Sequence, residues 1–120
     1  TPSTLASKDK IRTFAKKTGT MLKHIVMWKL KAEAEGKTKA ENALWMKEHL
    51  EALVGVVPEI RSLQVGINVK ESDMAYDAVL ISTFDDEQAL AAYKVNPRHV
   101  EVSSYCKKIR ESRVVVDFYE

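Results

Sequence analysis

The segment Tyr76–Val102, "YDAVLISTFDDEQALAAYKVNPRHVEV", contains the change of periodicity that decides the fold. Its first nine residues alternate with a period of two, which predicts a strand over 76–84. Asp85 or Asp86 then suits the N-cap of a helix. Asn96-Pro97 interrupts that helix, and a second helical stretch follows it. A strand that leads into a broken helix predicts a mixed α and β domain.

The other strands are predicted by the same alternation of side chains. "LKHIVMWKLK" (22–31) predicts the first strand, "IRSLQVGINV" (60–69) the second and "RVVVDFY" (113–119) the last. Only the short turn "ESDM" (71–74) separates the second strand from the third. Because that link is short, we expect these two strands to form an antiparallel pair.

The first helix is predicted between the first and second strands. Thr38 and Glu41 have the spacing of a capping box, and Gly55 followed by Pro58 predicts the end of the helix. Its apolar stripe is predicted to contain Ala43, Met46, Leu50, Leu53, Val54 and Val57. The element order is therefore β-α-β-β-α-β. We predict an α+β, ferredoxin-like protomer in which helices cover one face of an antiparallel four-stranded sheet.

The face of the sheet away from the helices is also predicted to be apolar. The first, third and fourth strands carry apolar residues in both alternating sets, and we assign to the outer face Ile25, Met27, Val79, Ile81 and Val115. A lone domain of this size has nothing left to cover such a face, and a large apolar patch usually marks an interface. We therefore expect a homodimer that packs sheet to sheet.

Length and composition restrict the class of protein. With 120 residues, of which 45% are hydrophobic, we expect one domain over 21–120, preceded by a basic, poorly ordered extension at residues 1–20. The remaining hundred residues contain 14 basic and 16 acidic side chains, and this slightly acidic body argues against nucleic acid as a partner. No apolar run is long enough to span a membrane, so no membrane partner is expected. A single cysteine agrees with a cytoplasmic location.

Four ordered segments together resemble the stress-responsive dimeric α/β-barrel (Dabb) family. They are "HIVMWKLK", "ALVGVVPEIRSLQVG", "YDAVLISTFDDEQALAAYKVNPRHVEV" and "RVVVDF". The resemblance covers about Met21 to Tyr119. It implies that two ferredoxin-like protomers pair through their sheets into a dimeric α+β barrel, with a pocket between sheet and helices in each protomer.

The resemblance also implies candidate site residues. The family includes plant polyketide cyclases, which close a linear poly-β-keto chain by an aldol-type condensation. Tyr93, Pro97 and His99 match their active-site segment Tyr-x-x-x-Pro-x-His, and His24 matches a histidine of the first strand that faces the same pocket. The implied function is binding of a hydrophobic or keto-containing metabolite. An enzymatic activity would then be cyclase-like or lyase-like polyketide chemistry.

The residues around Asn96 give a physical reason for His99 to act as a base. Asn96 suits the N-cap and Pro97 the first helical position, so His99 should lie at the third position. The positive end of a helix disfavours imidazolium, which keeps the ring neutral and able to accept a proton. Tyr93 would donate a hydrogen bond to the substrate oxygen, and His24 would orient the substrate or relay the proton.

Apolar side chains are predicted to line the pocket, namely Val26, Trp28, Leu80 and Leu50. The alternative is that Trp28 and its neighbours fill the pocket and that the histidines and Tyr93 are packing residues. The protein would then be a non-catalytic stress-response or assembly protein whose main property is a stable dimer. No cofactor or metal is expected, because the sequence lacks a Gly-rich phosphate loop and its three histidines lack metal-ligand spacing. Cys106 is expected to be a small core residue.

Overall fold

The computed structural model describes residues 20–120, so the predicted extension at residues 1–20 lies, apart from Thr20, outside the described residues. The strands are β1 (Leu22–Leu30), β2 (Glu33–Ala34), β3 (Lys37–Thr38), β4 (Ser62–Ile67), β5 (Ala78–Phe84) and β6 (Arg110–Tyr119). The helices are α1 (Lys39–Glu51), α2 (Glu87–Val95) and α3 (Pro97–Ile109). Between residues 20 and 120 no helix is long and apolar enough to cross a membrane.

The four long strands form one antiparallel sheet in the order β4-β5-β1-β6. This is the ferredoxin-like arrangement, so the predicted fold class is confirmed. β1 is a central strand, and its register places Val26 opposite Leu80 of β5 and Val115 of β6. Since residues that oppose each other across a sheet share one face, this register decides which side chains point toward the helices.

α1 begins at the predicted capping box. The Thr38 side-chain hydroxyl accepts a hydrogen bond from the Glu41 backbone N–H at 3.2 Å, and Glu41 Oε1 accepts one from the Thr38 backbone N–H at 3.0 Å. The two bonds together satisfy donors that the first turn of a helix would otherwise leave unpaired. The helix ends at Glu51, earlier than the predicted end near Gly55.

A compact turn follows α1 where the sequence predicted a further helical turn. Gly55 has a φ of 85°, a left-handed conformation that suits glycine. Leu53 and Val57 are buried as predicted, whereas Val54 is exposed, so its assignment to the buried stripe was wrong. The reason is that the helical spacing of side chains no longer applies once the backbone leaves the helix.

A short hairpin made of β2 and β3, which was not predicted, precedes α1. Its tip residues Glu35 and Gly36 both have positive φ values, 52° and 74°, and such a two-residue turn matches the twist of the paired strands. The Ala34 carbonyl accepts a hydrogen bond from Asn42 Nδ2 at 3.1 Å, and the Tyr105 hydroxyl donates to Asn42 Oδ1 at 2.7 Å. The hairpin is thereby joined to both α1 and α3.

The break between α2 and α3 lies at the predicted position. Asp86 caps α2 and accepts from the Ala89 N–H at 2.9 Å. Asn96 caps α3, where its Oδ1 accepts from the Arg98 N–H at 2.9 Å, and Pro97 occupies the first position of the helix. The predicted caps and the helix break are confirmed.

The helices cover one face of the sheet, and the other face is apolar and partly exposed. On the uncovered face the exposed fractions of the large side chains lie between 39% and 54% for Met27, Ile81, Val114, Val116 and Phe118. Ile25 and Val79 lie beside them and are half-buried. The prediction placed Val115 on this outer face and was wrong, because Val115 opposes Val26 and shares its inner face. The outer face is nevertheless apolar, and the residues that β6 contributes to it are Val114, Val116 and Phe118.

Candidate functional site

A cavity of about 330 Å³ lies between the inner face of the sheet and the helices. It is lined by the seven residues that the sequence singled out, which are His24, Val26, Trp28, Leu50, Leu80, Tyr93 and His99. Five further side chains were not predicted as lining residues, namely Lys94, Ser103, Lys107, Arg110 and Arg113, and Cys106 also borders the cavity. The structure therefore brings the predicted residues together, while their roles stay predictions.

Tyr93 lies on α2 with its side chain directed into the core and is only 1% exposed. Its ring packs against Phe84 with 5.0 Å between centroids. Its hydroxyl is buried and has no hydrogen-bond partner among the described residues. Burial raises the pKa of this phenol above its usual range, so the hydroxyl stays protonated and can donate. A buried donor without a partner costs about 1–3 kcal/mol, which calls for an explanation.

His99 lies beside Tyr93, with 4.1 Å between the two ring centroids. As predicted, it occupies the third position of α3, after the Asn96 cap and Pro97. Its Nδ1 lies 3.2 Å from the Lys94 carbonyl oxygen, and since a carbonyl only accepts, Nδ1 carries the proton in this bond. Burial lowers the pKa of His99, although the bond to Lys94 acts in the opposite direction. The neutral ring therefore has Nε2 as its proton-accepting nitrogen.

His24 on β1 is 2% exposed and donates from Nδ1 to Asp117 Oδ1 in a short hydrogen bond. Burial lowers the pKa of His24, and the hydrogen bond to Asp117 opposes that effect. The centroid of its ring lies 6.4 Å from that of Tyr93. A carboxylate that holds one ring nitrogen orients the imidazole and leaves Nε2 to accept a proton.

Sequence reasoning missed Asp117. The spacing shows that Asp117, Val115 and Arg113 share one face of a strand, but it does not show which face that is. The β1–β6 register sets Asp117 opposite His24. Because Val115 and Asp117 share a face, the wrong assignment of Val115 to the outer face would also put Asp117 away from the cavity.

Cys106 and the aromatic pair Trp45–His49 have structural explanations. Cys106 is buried, and burial raises the pKa of its thiol to about 11, so it is a thiol and not a thiolate near neutral pH. Trp45 and His49 stack with 3.9 Å between ring centroids, and the half-buried Trp45 also packs against Tyr105 with 4.0 Å between centroids. Across residues 20–120, no group of three His, Cys, Asp or Glu side chains is placed to hold a metal ion.

Comparison with known proteins gives matches of family and fold. The model of the stress responsive A/B barrel domain family matches residues 22–120. A dimeric ferredoxin-like protein of unknown function from Bacteroides fragilis is 31% identical, with a TM-score of 0.74 over 83% of this chain and 96% of that chain. No curated protein matches at a significant level.

Two further solved structures resemble the chain in fold alone. A dimeric ferredoxin-like protein of unknown function from Thermobifida fusca is 20% identical, with a TM-score of 0.71 over 85% of this chain and 92% of that chain. The hydroxynitrile lyase of Passiflora edulis is 15% identical, with a TM-score of 0.70 over 85% of this chain and 94% of that chain.

Proposed function

Because this chain belongs to the stress responsive A/B barrel domain family, we propose that it forms a homodimer through its sheets and binds a hydrophobic, keto-containing metabolite in the cavity of each protomer. We propose further that the cavity catalyses an aldol-type cyclisation of that ligand. In this reaction His99 is the base, Tyr93 is the hydrogen-bond donor, and His24 with Asp117 relays the proton.

The outer face of the sheet supports the homodimer. Seven apolar side chains from three adjacent strands lie together on it, namely Ile25, Met27, Val79, Ile81, Val114, Val116 and Phe118. A second copy of the same face would cover this patch, as expected for a two-fold symmetric interface. The similar proteins from Bacteroides fragilis and Thermobifida fusca are themselves described as dimeric.

The observation that carries the catalytic proposal is the unpartnered hydroxyl of Tyr93. The hydroxyl is buried, the Tyr93 side chain borders the cavity, and its ring packs against the ring of His99. A buried donor that has no partner among the described residues can bond a ligand oxygen without first losing a protein partner. The ring centroid of Tyr93 lies 4.1 Å from that of His99 and 6.4 Å from that of His24, so both histidines are neighbours of the proposed donor.

The proposed reaction is balanced within the site. Nε2 of neutral His99 takes a proton from the carbon next to a ketone, and Tyr93 donates a hydrogen bond to the enolate oxygen that forms. The enolate carbon attacks a second carbonyl of the same chain and closes a ring. The resulting alkoxide takes back a proton from the imidazolium, directly or through His24, whose orientation Asp117 fixes. No oxidant, reductant or metal is needed.

The test is turnover of a linear tri-β-keto ester, with the cyclic product measured by chromatography and mass spectrometry. We expect Tyr93→Phe and His99→Ala each to lower the rate by about 100-fold or more, because each removes one group that acts in the transition state. The matched control is Tyr76→Phe, since Tyr76 lies outside the cavity and contacts Lys29. Sedimentation of each variant checks that its assembly state is unchanged.

A non-catalytic dimer is the second candidate function, and the apolar outer face of the sheet favours it equally. The two candidates differ in the cavity. Trp28 lines the cavity without filling it, which supports the ligand-binding proposal. No turnover by the parent protein on any β-keto chain, combined with a stable dimer, would replace the catalytic proposal by a binding or assembly role.

A further inference from the structure

Four basic side chains from three elements line the cavity. Lys94 extends from the end of α2, Lys107 from the last turns of α3, and Arg110 and Arg113 from the start of β6. No Asp or Glu is among the lining residues. We call these four side chains the basic rim. The excess of positive charge is local to the cavity, since residues 21–120 as a whole contain 14 basic and 16 acidic side chains.

The charges of the basic rim are not neutralised within residues 20–120. None of the four forms an ion pair there, which is also true of six other basic side chains of residues 21–120, whereas four are paired, in Lys39–Asp77, Lys47–Glu51, Arg61–Asp85 and Lys108–Glu35. Two neighbours on α3 differ in this respect. Lys107 lines the cavity without an ion pair, whereas Nζ of Lys108 lies 3.9 Å from Oε1 of Glu35. Unpaired cations around a concave site raise the local concentration of anions.

The charge of the rim reaches the interior of the cavity. Burial is the main cause of the lowered pKa of His24 and of His99, and the positive charges of Lys94 and Arg113 lower both further. Asp117, the acidic group that contacts a lining residue, is already engaged by His24. The cavity therefore combines a positive rim with a neutral, unpaired donor at Tyr93.

We propose that the ligand of this cavity carries an anionic group, a carboxylate or a phosphate, that binds the basic rim while its ketone meets Tyr93. This inference rests on the proposed function and names the chemical class of the ligand. Guanidinium groups such as those of Arg110 and Arg113 bind both anions through paired N–H donors. A neutral apolar ketone would leave the four cations of the rim without a partner.

The test compares three probes by calorimetry: an eight-carbon δ-keto acid, its methyl ester and the corresponding keto alkyl phosphate. We expect the acid or the phosphate to bind about tenfold or more tightly than the ester, and added salt to reduce this preference. Whichever of the keto acid and the keto alkyl phosphate binds more tightly shows whether the anionic group of the ligand is a carboxylate or a phosphate. Arg113→Gln should weaken the anionic probe by about tenfold and leave the ester unchanged, and Lys94→Gln provides a second variant with the same expectation.

Lys108→Gln is the matched control, because Lys108 lies on α3 beside the rim and does not line the cavity. It should leave the affinities of all three probes unchanged. Equal affinity of the ester and both anions would overturn the inference of an anionic ligand, but it would still agree with the proposal that the cavity binds a keto-containing ligand. The inference would also fail if Lys108→Gln weakened the anions as much as Arg113→Gln. Failure of all three probes to bind would overturn the proposed function together with the inference.

Discussion

Replacing Tyr93 by phenylalanine should make the ligand-free protein more stable. The substitution removes a hydroxyl that is buried without a partner among the described residues, and keeps the ring that packs against Phe84 and His99. Leaving a buried donor unpaired costs about 1–3 kcal/mol, so Tyr93→Phe should raise the free energy of unfolding by about that amount. For a domain near 100 residues, each kcal/mol shifts the melting temperature by about 4–8 °C.

Tyr105→Phe is the matched control because the chemical change is the same. The Tyr105 hydroxyl donates to Asn42 Oδ1 at 2.7 Å, and Asn42 is fully buried. Its removal leaves a buried acceptor without this donor, so we expect a loss of about 1–3 kcal/mol. The two substitutions should therefore change the stability in opposite directions.

Urea titration at one fixed protein concentration measures both variants, since the stability of a dimer depends on concentration. A loss of stability in Tyr93→Phe as large as that in Tyr105→Phe would refute the reasoning, because it would mean that the Tyr93 hydroxyl already has a partner in the free protein. A gain in stability accompanied by loss of turnover is the result expected of a group retained for function.

Three further predictions concern the dimer, a helix cap and the response to pH. Ile81→Lys should dissociate or unfold the protein, because an unpaired charge at a buried interface costs several kcal/mol. Val69→Lys is the control, since the Val69 side chain is 99% exposed, and it should leave the assembly unchanged. Sedimentation measures both variants. Thr38→Ala removes the capping box and should lower the free energy of unfolding by about 1 kcal/mol, measured in urea. Burial lowers the pKa of His24 and His99 in the folded protein, so below about pH 6.5 the unfolded chain binds more protons than the folded one. The free energy of unfolding should therefore be level above that pH and decrease as the pH falls below it.

Each of these predictions has a result that contradicts it. If the unmodified protein were a stable monomer at micromolar concentration, the prediction of a dimer would be wrong. Equal stability of Thr38→Ala and the parent would mean that water replaces the cap without loss. A free energy of unfolding that rises below about pH 6.5 would mean that the folded state gains protons there, which is incompatible with buried neutral histidines.

The long strands and the helix starts could be predicted from the sequence because their signals are local, whereas the β2–β3 hairpin was not predicted. The capping box at Thr38, the cap at Asp86 and the break at Asn96-Pro97 each involve neighbours within a few residues, and all were confirmed. The alternation along β1 gave the face on which His24 lies.

The missing parts of the candidate site depend on long-range register. His24 and Asp117 are 93 residues apart, and only the pairing of β1 with β6 brings them together. Alternation could not orient β6, because Val114, Val115 and Val116 are the same residue on both faces. The basic rim was missed for a related reason, since its members come from three elements whose relative positions are set by packing.

The break between α2 and α3 also determines the tautomer of a side chain. In an uninterrupted helix the Lys94 carbonyl would accept the N–H of Arg98, four residues later. Here that N–H donates to Asn96 Oδ1, and the Lys94 carbonyl accepts from Nδ1 of His99 instead. Asn96 and Pro97 thus decide, through the main chain, which imidazole nitrogen keeps its proton. A substitution that restored a continuous helix would alter the acid–base chemistry of His99 without touching the ring.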